Sequence, residues 1–222
     1  MREYFHTVVW IATKDLRLLF RQPTSFLSTL MFCLLLVFIF GLTLNLVAVN
    51  TTQLLPAILW IILLLAAVLG MSHTFTHEKD NSCIQALCMA VTERSSIFLG
   101  KGLANLMFLL VIKVMIIPIL FLFFDLQATI NPLVLCLTLF FGGLGLACLG
   151  TLFNTLLINP GGLLIPILLF PIAIPLLISV IELTKVALGV STQVHPWLLL
   201  MILFNLIFIV LAIVLYDYVL EV

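Results

Sequence analysis

Six runs of roughly twenty apolar residues dominate this chain, and each has the length a helix needs to cross a hydrocarbon core ~30 Å thick. They are Phe26–Val47, Leu54–Met71, Gly102–Phe124, Leu133–Ile158, Leu163–Ile181 and Trp197–Tyr216. None alternates with the period of two that a membrane barrel strand requires. The pattern therefore predicts an all-α polytopic membrane protein: six transmembrane helices in a single domain over residues 1–222. Only 8% of the residues are charged. A soluble protein carries about 25%, so this chain cannot give itself a polar coat.

With so few charges, their placement sets the orientation. Seven of the nine Lys and Arg are Arg2, Lys14, Arg17, Arg21, Lys79, Arg94 and Lys101, all within 1–25 and 72–101. These are the two segments long and polar enough to lie outside the hydrocarbon. The opposite connections, 48–53, 125–132 and 182–196, carry only Lys185. Lys and Arg are retained on the cytoplasmic side, which predicts two cytoplasmic termini. Asp217 and Glu221 near the end do not alter this, because carboxylates contribute little to the rule. A cleaved signal peptide fits the N-terminus poorly, since an amphipathic stretch precedes an apolar run that is itself long enough to span. That stretch, 1–25, reads as an interfacial helix. Lys14, Arg17 and Arg21 share a face, with Trp10 four residues before Lys14; Phe5, Val8, Val9, Leu16, Leu19 and Phe20 lie towards the other side. Gln22-Pro23 then turns the chain into the bilayer.

The stretch HTFTHEKDNSCIQALC, 73–88, gathers potential ligands. His73 and His77 have the i, i+4 spacing of a zinc-binding HExxH helix, but Glu78 follows the second histidine and cannot serve as that motif's base. Cys83 and Cys88 are five apart, which separates them by about 140° on a helix. A metal or haem site, a water-facing exit from the membrane and a docking surface are all open readings here. The five cysteines, with Cys33, Cys136 and Cys148, are odd in number and read as soft packing residues, not a disulfide framework.

Lys113 is the most anomalous charge. It lies twelve residues after Lys101, roughly 18 Å along a helix. It either lines a substrate path or pairs inside the bundle. No acid stands at matching depth in another span, so a backbone carbonyl released by a proline is its expected partner. Pro166, Pro171 and Pro175 would release such carbonyls in the fifth run and make it a hinge or pathway element. Gly143, Ala147 and Gly150 form a small-residue face for helix contact, and Asn154 and Asn205 read as bonds between helices. His195, followed by Pro196-Trp197, closes the longest external loop; His195 and Trp197 are candidates for haem contact or for anchoring at the interface. No phosphate-binding loop and no nucleophile elbow occurs, so no catalytic residue and no metal or bound cofactor is assigned, and fuel must come from another subunit.

Lys14-Asp15-Leu16-Arg17-Leu18-Leu19-Phe20-Arg21 precedes the first run, and the polar segment ends in Leu99-Gly100-Lys101. Asn159-Pro160-Gly161-Gly162 leads into Leu169-Phe170-Pro171-Ile172-Ala173-Ile174-Pro175-Leu176-Leu177-Ile178. Together these resemble the CcmB family, the haem exporter B permeases of the cytochrome c maturation system. The resemblance covers essentially the whole chain in length, layout and segment order. It departs at Ser82 and Gln85, where the family usually has glycine and glutamate, and at 91–95, where prolines are replaced.

The resemblance implies an ABC-2 type permease in the bacterial inner membrane, without its own ATPase site. It implies a homodimer with two CcmA subunits that bind ATP and Mg, together with CcmC, CcmD and the haem chaperone CcmE, with haem as the cargo. It further implies that 72–101 is a coupling segment, with Glu78, Lys79, Asp80, Gln85, Glu93, Arg94 and Lys101 facing the ATPase. The sparse ligands favour ATP-driven release of the loaded chaperone over passage of haem through this subunit. A permease for another hydrophobic cargo and a non-transport scaffold are the alternatives.

Overall fold

The computed structural model describes residues 2–21, 23–47, 51–80, 95–124, 131–156 and 165–219. These form seven helices and no strand among the described residues: α1 (Arg2–Arg21), α2 (Pro23–Val47), α3 (Thr51–Asp80), α4 (Ser95–Phe123), α5 (Pro132–Leu156), α6 (Ile165–Ala187) and α7 (His195–Val219). Six of them, α2 to α7, are long and apolar enough to span a membrane. α5 is the hub, packing on α3, α4, α6 and α7, while α2 lies at the edge against α3. Large apolar side chains such as Val114, Leu122 and Leu133 point outward, as they must where hydrocarbon is the solvent.

Proline punctuates this bundle in two ways. Pro23 and Pro132 open α2 and α5, and Pro166 and Pro196 are the second residues of α6 and α7. In a first turn the missing N–H costs nothing. Pro166 is the second described residue of α6, and the prolines further inside it are Pro171 and Pro175.

Three helix ends differ from the hydropathy boundaries. α3 runs to Asp80, because no proline or glycine stands between Met71 and Asp80 to stop it. It is 30 residues long, roughly 45 Å against the ~30 Å hydrocarbon core, so its last third lies beyond the apolar window. α4 starts at Ser95, with Ile97 and Phe98 already 1% exposed. α6 continues past Ile181 to Ala187, so Glu182 and Lys185 belong to the helix and pair at 2.6 Å. Gly189 at φ 72° ends it: Gly189 N–H donates to the Val186 carbonyl and Val190 N–H to the Lys185 carbonyl, a Schellman motif that needs the left-handed glycine. The Asn131 N–H caps the Ala187 carbonyl at 2.8 Å, tying the start of α5 to the end of α6.

Hydroxyls inside the spans satisfy themselves. Thr43, Thr138, Thr151 and Thr184 each donate to the carbonyl four residues back, and Ser179 to the one three back. In hydrocarbon an unpaired hydroxyl would find no water, so this local bond is the default.

Candidate functional site

Two buried polar assemblies lie on α4, one at each of its lysines. The deeper one surrounds Lys113, which is 2% exposed. Its Nζ donates to the Leu139 carbonyl of α5 and stands 5.2 Å from the centre of the Trp60 ring of α3. Trp60 in turn donates through Nε1 to Thr184 Oγ1 at 2.8 Å, and Thr184 donates to its own Val180 carbonyl. One lysine thus connects α4 to α3 and α5 directly, and to α6 through Trp60.

The carbonyl partner is not one freed by a proline. Leu139 lies in a stretch of α5 without prolines, and its oxygen is reachable because Gly143, one turn on, has no side chain: a Cβ there would collide with the Lys113 ammonium. Gly142 does the same for Trp60. A Cβ there would stand 2.8 Å from a Val180 methyl and against the indole ring. Gly143 is therefore more than the packing surface expected from its spacing; Gly142-Gly143 is the recess that lets a lysine and a tryptophan meet inside the bundle. An intramembrane lysine costs about 3 kcal/mol on insertion scales. A desolvated cation–π contact gives back up to ~2 kcal/mol and a charged hydrogen bond ~1.5–3 kcal/mol, so the assembly roughly breaks even. Lys113 is held by main chain and ring.

Near the basic end, α1 lies against α4. Its buried face is Ile11, Ala12 and Asp15, at 0, 2 and 1% exposure. Val9 and Trp10, at 54% and 64% exposure, lie away from that contact. Arg17 is exposed, Lys14 is partly so, and the backbone at Arg21 is the last turn of α1. Gly100 permits the contact, since a Cβ there would lie 2.8 Å from Ile11 and 3.1 Å from the Val8 carbonyl. Beside it, the Lys101 ammonium is 3.6 Å from Asp15 Oδ2, both side chains being almost fully buried. Lys14 approaches Oδ1 to 3.2 Å, but that oxygen makes no hydrogen bond among the described residues. Lys101 was expected on an exposed docking surface; in the structure it is 3% exposed and paired inward, because α1 covers the start of α4.

The remaining site residues are scattered. Glu78, Lys79 and Asp80 form the last residues of α3, and His73 and His77 are on the same helical extension. Gln85, Glu93 and Arg94 lie outside the described residues, as do Cys83 and Cys88. Pro171 and Pro175 face outward with Phe170, Ile174 and Ile178. His195 is exposed at the first residue of α7, and Trp197 is partly buried against the core. Asn205 donates to the Met201 carbonyl of its own helix, not to a neighbouring one; its buried Oδ1, beside Gly145, has no hydrogen-bond partner among the described residues. Asn105 makes the interhelical bond instead, donating to Thr151 Oγ1 at 2.8 Å. Among the described residues no cluster of three or more His, Cys, Asp or Glu could hold a metal. An apolar groove of about 140 Å³ lies between α4, α5 and α7, lined by Leu103, Leu106, Leu144, Cys148 and Ile209 among others.

Asp15, Trp60, Gly142 and Thr184 were missed from sequence. Asp15 had a usable signal: it is four residues after Ile11, one turn along the same face of the helix. Trp60 and Thr184 had none, since their meeting depends on how α3 and α6 are rotated.

Known proteins match most of the chain. The family model described as CcmB protein matches residues 6–219. A curated relative from Pseudomonas aeruginosa, named heme exporter protein B, is 28% identical over 170 residues, 76% of either chain. A second with the same name, from Haemophilus influenzae, is 27% identical over 177 residues, 78% of this chain and 80% of its own.

Proposed function

Because the chain belongs to the CcmB family, and so is a membrane permease subunit for haem export in cytochrome c biogenesis, we propose that it converts ATP hydrolysis by a partner subunit into haem delivery. The partner is an ATP-binding CcmA subunit that carries the ATP and Mg, on two copies of each chain in the inner membrane with both permease termini cytoplasmic. CcmC, CcmD and the chaperone CcmE complete the assembly.

The extension of α3 carries this reading. The apolar window of that helix ends at Gly70, yet the helix continues to Asp80. Ten further residues, about 15 Å of helix, end in Glu78, Lys79 and Asp80. A continuous helix rooted in the bundle transmits a push that a loop would absorb. Charges at its tip give a soluble partner something to grip. Exchanging Glu78 and Asp80 for Lys is expected to cut the ATPase subunit that co-purifies in mild detergent by about tenfold, since like charges across an interface suppress pairing. Undiminished co-purification would remove the docking role from this tip.

For haem itself we favour ATP-driven release of the loaded chaperone. A pathway for haem iron needs axial ligands. His195 is the one histidine at the end of the bundle opposite α1 among the described residues, and it stands exposed. The same purification carries the test. Stoichiometric haem absorbance on this chain, lost on His195→Ala, would make it a carrier and displace the release reading.

The outward face of α6 fits a moving part. Pro171 and Pro175 deprive the Ile167 and Pro171 carbonyls of their helical donors. Replacing both prolines by Ala returns those donors and stiffens α6; a helix interior gains up to about 3 kcal/mol per proline removed. The expected result is a protein at least as heat-stable in detergent, present in normal amount, that matures c-type cytochromes poorly. Full maturation would make the prolines merely structural.

A further inference from the structure

We infer that Asp15 and Lys101 are positioning residues for energy coupling: their buried pair makes α1 and the start of α4 one mechanical unit. This rests on the ATP-coupled reading above and adds the element that carries the motion inward. Three observations support it. The pair is almost fully withdrawn from solvent, Asp15 Oδ2 standing 3.6 Å from Lys101 Nζ. It adjoins a close contact of α1 with α4, where Gly100 leaves no room even for a methyl group against Ile11. And Lys101 shares its helix with Lys113, roughly 18 Å further along, where α4 is tied to α3 and α5 and, through Trp60, to α6.

A displacement of the basic end therefore has a continuous route. α1 cannot slide on α4 without separating two buried charges, and a charge left alone in such a place is strongly disfavoured. α4 is helical without interruption from Ser95 to beyond Lys113. Motion imposed on α1 or on the start of α4 reaches the deeper assembly as movement of a rod. Surface ion pairs would not do this, because water replaces either partner at little cost. Burial is what makes the link stiff.

The test uses the whole complex in membranes, with wild type, Asp15→Asn, Lys101→Gln and the Asp15→Asn/Lys101→Gln double variant. Three quantities are read: permease and ATPase subunit recovered together, ATP hydrolysed, and c-type cytochrome matured per ATP. Each single variant is expected to keep assembly and hydrolysis within about twofold of wild type while maturation per ATP falls about tenfold, a usual size for coupling between sites. If a single variant fails to accumulate, the double variant, which removes both buried charges of the pair, takes its place, with the same fall in maturation per ATP expected. Maturation per ATP within about twofold of wild type in an assembled variant overturns the proposal, being below the usual range of such coupling. Loss of the double variant as well as the singles also overturns it, by making the pair a folding element. Wild-type maturation that does not depend on ATP hydrolysis would sink the coupling reading itself, and that arm is read without any variant.

Discussion

Lys113→Glu should eliminate the folded protein from the membrane, while Lys113→Met should leave it folded and active. The wild-type ammonium meets two electron-rich partners, the Leu139 carbonyl and the face of Trp60. A carboxylate in that place meets the same two with the wrong sign, and Lys113 is 2% exposed, so it cannot reach water. Breaking a buried charge arrangement in this way costs about 3–5 kcal/mol, much of the 5–15 kcal/mol that typically holds a domain together. Methionine has nearly the length of lysine and no charge. It loses the ring and carbonyl contacts but also the insertion cost of about 3 kcal/mol, so the two changes offset. The Leu139 oxygen keeps the N–H of Gly143 within its own helix. Membrane abundance and melting temperature in detergent decide the outcome. A Glu variant as abundant as wild type would mean that Lys113 is not held by these partners. A Met variant that is stable but inactive would restore the lysine to a substrate path.

Gly142→Ala should be the most damaging methyl group that could be added to α5. The new Cβ would meet Trp60 and Val180, both fully buried, with Val180 at 2.8 Å. Neither neighbour can yield easily, because the indole is fixed by its bond to Thr184. Overpacking of this kind costs about 1–3 kcal/mol, and more where the neighbours are locked. Trp60→Phe, whose smaller ring lacks the outer atoms in the collision, should recover most of the loss in the double variant. Gly102→Ala is the control: its Cβ would find nothing nearer than Thr151 Oγ1 at 4.0 Å, an ordinary contact. Melting temperatures of the four proteins test the set. Equal destabilisation at Gly102 and Gly142 would show that glycine's backbone, not the recess, was at stake.

Gly142 and Gly143 mark the limit of sequence reading. Gly143 was visible as part of a small-residue face, but whether such a face receives a backbone, a lysine or an indole depends on what the neighbouring helix presents at that height. Lys113 was recognisable as an intramembrane charge needing a partner, and the expected kind of partner, a carbonyl, is the kind it has. The donor of that carbonyl was not legible, because Leu139 has no mark in the sequence. At α1 Asp15 escaped notice beside the cations Lys14 and Arg17. Lys101 looked like a surface charge because its partner lies 86 positions earlier in the chain. The length of α3 was the reverse case: the polar sequence after Met71 suggested an end, yet nothing in it breaks a helix.

The sequence by itself determined the helical class, the six spans and which segments carry the cations. Transfer of a side chain into hydrocarbon is local and nearly additive, so it can be summed along the chain. Tertiary structure alone decided which polar groups met. That choice depends on the rotation of each helix about its axis and on the distance between axes. Gly100, Gly142 and Gly143 set those distances by the side chains they lack, and partners as far apart in sequence as Trp60 and Thr184 are joined through space.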